Sequence, residues 1–191
     1  MFIRIFIFTL FILLFAACGD SPMPMPKAYF RIDFPKKSYI AVETDCGFTF
    51  EIPNYSQIKP RKDRLNEICW YDIDFSKYKG TIHLSYKKVN DYSELAKFIE
   101  DTRNLAYKHT IKASEIDEFI LNRAEDKVSG MIYEIGGNTA SSLQFFLTDS
   151  SSNFVRGSLY FNSTPNADSL APVQAFIKDD VMHLIDSFRW K

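Results

Sequence analysis

The sequence predicts an α+β domain in which a single, mostly antiparallel sheet is flanked by two amphipathic helices. Three observations carry that expectation. Short segments of alternating apolar and polar residues recur along the chain, and aromatic residues are abundant, with 18 Phe, 10 Tyr and 2 Trp; both features favour strands. Two other stretches carry apolar stripes at helical spacing. The order is several strands, a helix, several strands and a final helix, which suits an α+β architecture better than alternating βαβ units. With 191 residues the chain can bury roughly 70% of its unfolded surface, so neither a metal nor a disulfide is needed merely to fold. A net charge of −1 and a pI near 6.3 argue against a nucleic-acid binder, which normally carries a strong basic excess.

The first residues are an address. Arg4 is the only charge before an uncharged run at 5–17 that ends in Ala16-Ala17-Cys18-Gly19. A membrane-spanning helix needs about 20 apolar residues, whereas a signal-peptide core needs about 7–15. Small residues before a cysteine suit a peptidase that cuts ahead of a lipid-modified thiol. The segment resembles a bacterial lipoprotein signal, with Phe15 standing where leucine is usual. The expectation is therefore a signal peptide over 1–17, a lipidated tether over 18–28 and one globular domain over 29–191. The alternative is an uncleaved anchor with a free Cys18. One acyl chain anchors marginally and two or more hold firmly. In the tether, Pro22, Pro24 and Pro26 disfavour helix and favour an extended spacer, which would hold the domain about 25 Å from the lipid. Gly19 in place of aspartate gives no inner-membrane retention signal, so the outer membrane is favoured, on the periplasmic side.

In the body, Phe30, Ile32 and Phe34 alternate with Arg31 and Asp33, predicting a strand over 29–34 closed by Pro35. A second strand follows at 48–52. Residues 54–66 read as a polar connection with a basic run. Strands at 69–75 and 81–89 form a hairpin. Asp91-Tyr92-Ser93-Glu94 has the form of a capping box, and Leu95, Phe98, Ile99, Leu105 and Ala106 extend one stripe, giving a helix over 92–109. Four more strands are expected at 116–121, 127–135, 143–148 and 154–162. The second helix follows the loop at 164–168, with Leu170, Val173, Ile177, Val181, Leu184 and Phe188 as its apolar stripe and Pro172 near its start, where proline is tolerated. The chain then ends. By element order alone this is similar to an α/β/α sandwich of the Mog1/PsbP type.

Chemistry-bearing motifs are sparse. Cys46 and Cys69 form an even pair in an exported domain, which favours a disulfide. The alternative is two buried thiols. Were 48–52 and 69–75 simple antiparallel neighbours, their starts would lie at opposite ends, so a bond requires parallel placement or a loop that folds back. No two of Cys46, Cys69, His83 and His109 have structural-zinc spacing, and no metal or cofactor is expected. His83 reads as a strand histidine, and His109 as a cation suited to a helix C-terminus. No nucleophile elbow, zinc motif or phosphate loop is present. Glu115, Asp117 and Glu118 read as a solvated edge. Lys59, Arg61, Lys62 and Arg64, interrupted by Asp63, read as a solvated loop. The small-residue run at 136–142 suits a hairpin turn, or a surface that a partner backbone approaches closely.

Taken together, 27–31, 45–51, Cys69-Trp70, 133–138, 157–161 and the terminal Trp190-Lys191 resemble the gliding motility lipoprotein GldD family of the Bacteroidetes. The resemblance implies an envelope lipoprotein that supports gliding and the associated type IX secretion machinery, with no enzymatic activity to transfer. The expected partners are other envelope proteins, and the bilayer through the acylated cysteine. Tyr29, Arg31, Gly136, Gly137, Asn138 and Arg156 are the candidate partner surface. A small-ligand or peptidoglycan-binding module is the rival reading, and an envelope enzyme the third. Mass spectrometry of the native N-terminal peptide should find Cys18 acylated and 1–17 removed; an intact Met1 with an unmodified thiol would defeat the lipoprotein assignment.

Overall fold

The computed structural model describes residues 31–61, 69–164 and 166–191. The chain divides into Met1–Arg31 and Ile32–Lys191, and the fold is that of the second unit. The signal at 1–17 and the tether at 18–28 lie outside the described residues.

Among the described residues there are ten strands and two α-helices: β1 Tyr39–Glu43, β2 Phe48–Pro53, β3 Gln57–Pro60, β4 Trp70–Phe75, β5 Gly80–Lys88, α1 Tyr92–Tyr107, β6 Ala113–Arg123, β7 Val128–Gly137, β8 Ser141–Thr148, β9 Asn153–Phe161, α2 Ala167–Ser187 and β10 Arg189–Trp190. Seven strands form one sheet in the order β3-β4-β5-β9-β8-β7-β6, every neighbour antiparallel. A second, three-stranded sheet runs β1-β2-β10. The single sheet expected from the sequence is thus two. Phe48, Phe50 and Ile52 alternate inward along β2, and they join a core that includes Ile73, Ile82, Leu143 and Phe145 of the large sheet. β2 therefore packs over the large sheet rather than extending it.

Successive residues of a strand face opposite sides, and both sides of the large sheet are covered. Ile132 of β7 belongs to the core with α2 and the small sheet. Tyr133 and Ile135 belong to the core with Leu95 and Ala106 of α1. The helices lie on opposite faces, so the layers are α1, the large sheet, then α2 beside the small sheet. α2 buries Val173, Ile177, Val181, Leu184 and Ile185, each contributing roughly 1.5–3 kcal/mol on full burial. α1 begins as its sequence dictates: the Asp91 carboxylate accepts from the Glu94 amide at 2.9 Å. Glu94 reaches back one residue further than a capping box requires, accepting from the Asn90 amide at 2.9 Å.

Three further expectations are corrected. Residues 31–34 form no strand; Phe34 instead stacks on Phe176 of α2 at 4.3 Å. The first strand among the described residues is β1, beyond Pro35. The connection at 54–66 contains β3, and the chain does not end at α2 but returns as β10 against β2.

Cys46 and Cys69 are bonded, with Cα atoms 5.8 Å apart. The cysteines precede β2 and β4, which belong to different sheets, so their like ends come together across the core. The bond joins the two sheets at one end. Cys46→Ser should lower stability by roughly 2–5 kcal/mol, the range for a native disulfide in a small exported domain. Urea unfolding in oxidising buffer checks this; a midpoint equal to that of the parent would refute it.

Candidate functional site

The register of the large sheet aligns polar side chains in cross-strand rows on the α1 side. Trp70, Ser85 and Arg156 are successive partners across β4, β5 and β9. The next row is Asp72, His83, Ser158 and Gln144, and the next is Asp74, Thr81 and Tyr160. Directly opposed residues have Cβ atoms about 4.5–5.5 Å apart. α1 packs on Tyr133, Ile135, Phe146 and Phe154 and leaves these rows uncovered. The result is a cleft of about 340 Å³ lined by Arg61, Trp70, His83, Leu84, Ser85, Arg156, Ser158 and Tyr160.

Arg156 dominates its electrostatics. Nη2 donates to Gln144 Oε1 at 2.6 Å. Among the described residues no carboxylate pairs with the guanidinium. Burial lowers its pKa, opposed in part by the Tyr160 hydroxyl. His109 follows α1 in a short turn, and its pKa is held below the ordinary histidine value, first by burial and then by the charge of Arg156. The expectation of a cationic His109 at a helix end is therefore corrected: a desolvated imidazole beside a guanidinium favours the neutral form. His83 Nδ1 bonds Asp72 Oδ1 at 2.6 Å, and its ring lies 5.7 Å from that of Tyr160. Arg61 sits 5.7 Å from the Trp70 ring centroid. Trp70 Nε1, Arg156 Nε and Gln144 Nε2 are buried without acceptors among the described residues.

The residues singled out from the sequence do not converge. Cys18 and Tyr29 lie outside the described residues. Arg31 belongs to the first unit and is exposed. Gly136 lines a second concavity, of about 240 Å³, with Glu115, Asp117, Glu134 and Lys178; Lys178 pairs with Glu134 at 2.6 Å. Gly137 has φ +90°, and a Cβ there would meet Lys112 O and Ser114 N at 2.7 Å. Asn138 Oδ1 accepts from the Ala167 amide at the start of α2. The small residues at 136–138 thus serve a close backbone approach and a helix start. Arg156 alone of the group faces the cleft. The other lining residues were missed because alternating polar residues in a strand read as a solvated face, and strand order cannot be read from one sequence.

Compared with known families, the chain matches the model for gliding motility lipoprotein GldD over residues 19–190. No curated protein matches it. Among solved structures it is similar to the solution structure of cyanobacterial PsbP (CyanoP) from Synechocystis sp. PCC 6803, at 13% identity over 92% of this chain and 98% of that chain, with a TM-score of 0.46.

Gly137→Lys should destabilise the domain by about 1–3 kcal/mol, because it combines a strained φ with a backbone clash. Ala140→Lys, at an exposed position, should stay within about 0.5 kcal/mol. Thermal unfolding of both variants checks the contrast; equal tolerance would show that 136–138 is not structurally constrained.

Proposed function

Because the chain belongs to the gliding motility lipoprotein GldD family, we propose that it is a non-enzymatic envelope component that supports gliding and type IX secretion through protein contacts. In this reading an acylated Cys18 holds it to the membrane on the periplasmic side, and the tether at 18–28 presents the domain to other envelope proteins.

One observation carries the contact role: β6 is a long outer strand of the large sheet. Ile120 is 81% and Phe119 49% exposed, on opposite faces. An edge strand offers a row of unpaired backbone donors and acceptors to an incoming strand. The other edge, β3, is four residues long and ends in Pro60, which blunts pairing. Exposed Glu115, Asp117 and Glu118 make β6 acidic, so the fitting occupant is an extended segment of a partner protein that combines basic and apolar residues. A nucleophilic role is less well supported. Within the row Asp72, His83 and Ser158, the only hydrogen bond of the His83 ring among the described residues is to Asp72. The base-to-hydroxyl link that activates a serine is not formed.

Ile120→Lys tests the contact role. It should leave unfolding within about 0.5 kcal/mol of the parent and acylation unchanged. Colony spreading and in-cell crosslinks to envelope proteins should be lost. A folded, acylated variant that spreads and crosslinks normally would remove β6 from the contact surface. Loss of spreading on replacing His83 by Ala, with fold and crosslinks intact, would favour catalysis instead.

A further inference from the structure

Independently of the β6 edge, we propose that the cleft on the α1 side of β4, β5 and β9 binds the carboxylate of a small organic ligand, with Arg156 as its counter-charge. Arg61, Trp70 and Arg156 line the cleft with side chains that only donate, and the Ser85, Ser158 and Tyr160 hydroxyls can donate as well. Arg156 donates to Gln144 and engages the Tyr160 hydroxyl, and no carboxylate pairs with it among the described residues. Its Nε, the amide nitrogen of the fully buried Gln144 and the indole nitrogen of Trp70 are all without acceptors. Buried donors are normally satisfied, and a cluster of exceptions calls for an acceptor. A guanidinium with nearby N–H groups presents the planar fork that a carboxylate fills with two parallel hydrogen bonds.

The negative groups nearby are already engaged. Asp72 is bonded to His83 at 2.6 Å. Asp74 accepts from Ser76 at 2.6 Å and lies 3.9 Å from the Lys59 ammonium. Neither competes directly with a ligand for Arg156. Arg61 adds a second cation at the rim, over the Trp70 ring. Trp70 and Tyr160 supply aromatic walls, which suit a ring or short chain carrying the carboxylate. A volume of about 340 Å³ lies at the small end of ligand sites. Arg156 is the half-buried cation of the cleft and Arg61 is exposed to solvent, so a single carboxylate balances the charge that solvent screens least.

The full-length acylated protein in neutral detergent would be titrated with glucuronate, acetate and inorganic phosphate, following tryptophan fluorescence and thermal unfolding. Saturable binding of glucuronate, stronger than that of phosphate and weakened by salt, is expected. Arg156→Gln should weaken it by about tenfold or more. Ser85→Glu should abolish it, because Ser85 is the β5 partner of Arg156 and a carboxylate there would occupy the guanidinium internally. This second variant decides the matter if Arg156→Gln fails to fold. Ile120→Lys should bind normally. Absence of saturable carboxylate binding would overturn the proposal. So would tighter binding of phosphate, or unchanged binding in a folded Arg156→Gln or Ser85→Glu.

Discussion

Asp180 is the point on which the packing of the second layer turns. It lies on the buried face of α2 and is 1% exposed. It accepts from the Tyr39 hydroxyl at 3.0 Å and the Tyr55 hydroxyl at 2.6 Å, and Lys37 Nζ lies 3.1 Å away. A buried carboxylate without partners is very costly, and removing one member of such a network costs roughly 3–5 kcal/mol. The three partners come from the segment before β1, from β1 itself and from the turn after β2. The network therefore fixes the rotation of α2 and ties the small sheet to it. Burial first, and then the bond to Asp180, push the Tyr39 pKa up to about 12 and that of Tyr55 further still. Both phenols stay protonated donors far above neutral pH. Tyr39 also stacks on His183 at 3.5 Å, and His183 bonds Glu51 at 2.6 Å, which extends the tie from α2 to β2.

That arrangement determines where function has room. Among the described residues, the side of the large sheet facing α2 is covered by the helix, the small sheet and the disulfide apart from the concavity at Gly136 and Lys178, and the opposite side is covered by α1 alone. Sixteen residues give a helix about 24 Å long, and its apolar stripe covers the part of the sheet where Phe146, Phe154, Tyr133 and Ile135 lie. On the same side β4 and β5 carry Trp70, Asp72, Asp74, Thr81, His83 and Ser85. The polar half of the alternation is what remains open to solvent.

The parts of the fold legible in the sequence were those set by local physics. The Asp91 cap, the stripe of α2, and the periodicity of β2, β4, β5 and β7 to β9 all depend on neighbours within a few residues. The missed parts depend on what lies across space. β1 and β10 are short and half-exposed, and they are strands only because β2 offers two free edges. The turn after β6 has its left-handed residue at Lys127, at φ 53°, which carries no glycine or asparagine signal. Asp180 sits among apolar residues of the stripe, and its meaning appears only when Lys37, Tyr39 and Tyr55 arrive from more than a hundred residues earlier. The cleft was invisible for the same reason: Trp70, His83 and Arg156 are neighbours through strand order, not through spacing.

The two surfaces left with unmet hydrogen-bonding capacity differ in kind. At β6 the capacity belongs to the backbone and suits an added strand. In the cleft it belongs to side chains and suits a compact anion. Between β5 and β6 lie β9, β8 and β7, so the two sites are about 19 Å apart at ordinary strand spacing. A strand added at β6 would extend the sheet without covering the cleft. The described contacts nevertheless give them a common neighbour. At the C-terminal end of α1, Tyr107 Oη donates to Glu118 of β6 at 3.0 Å, and Arg103 reaches the same carboxylate. Two residues further on, His109 lies within the field of Arg156. An incoming basic segment that drew Glu118 away from Tyr107 would act on the same short stretch that flanks the guanidinium. Residues 103–109 therefore border both surfaces, touching Glu118 of β6 at one end and the surroundings of Arg156 at the other.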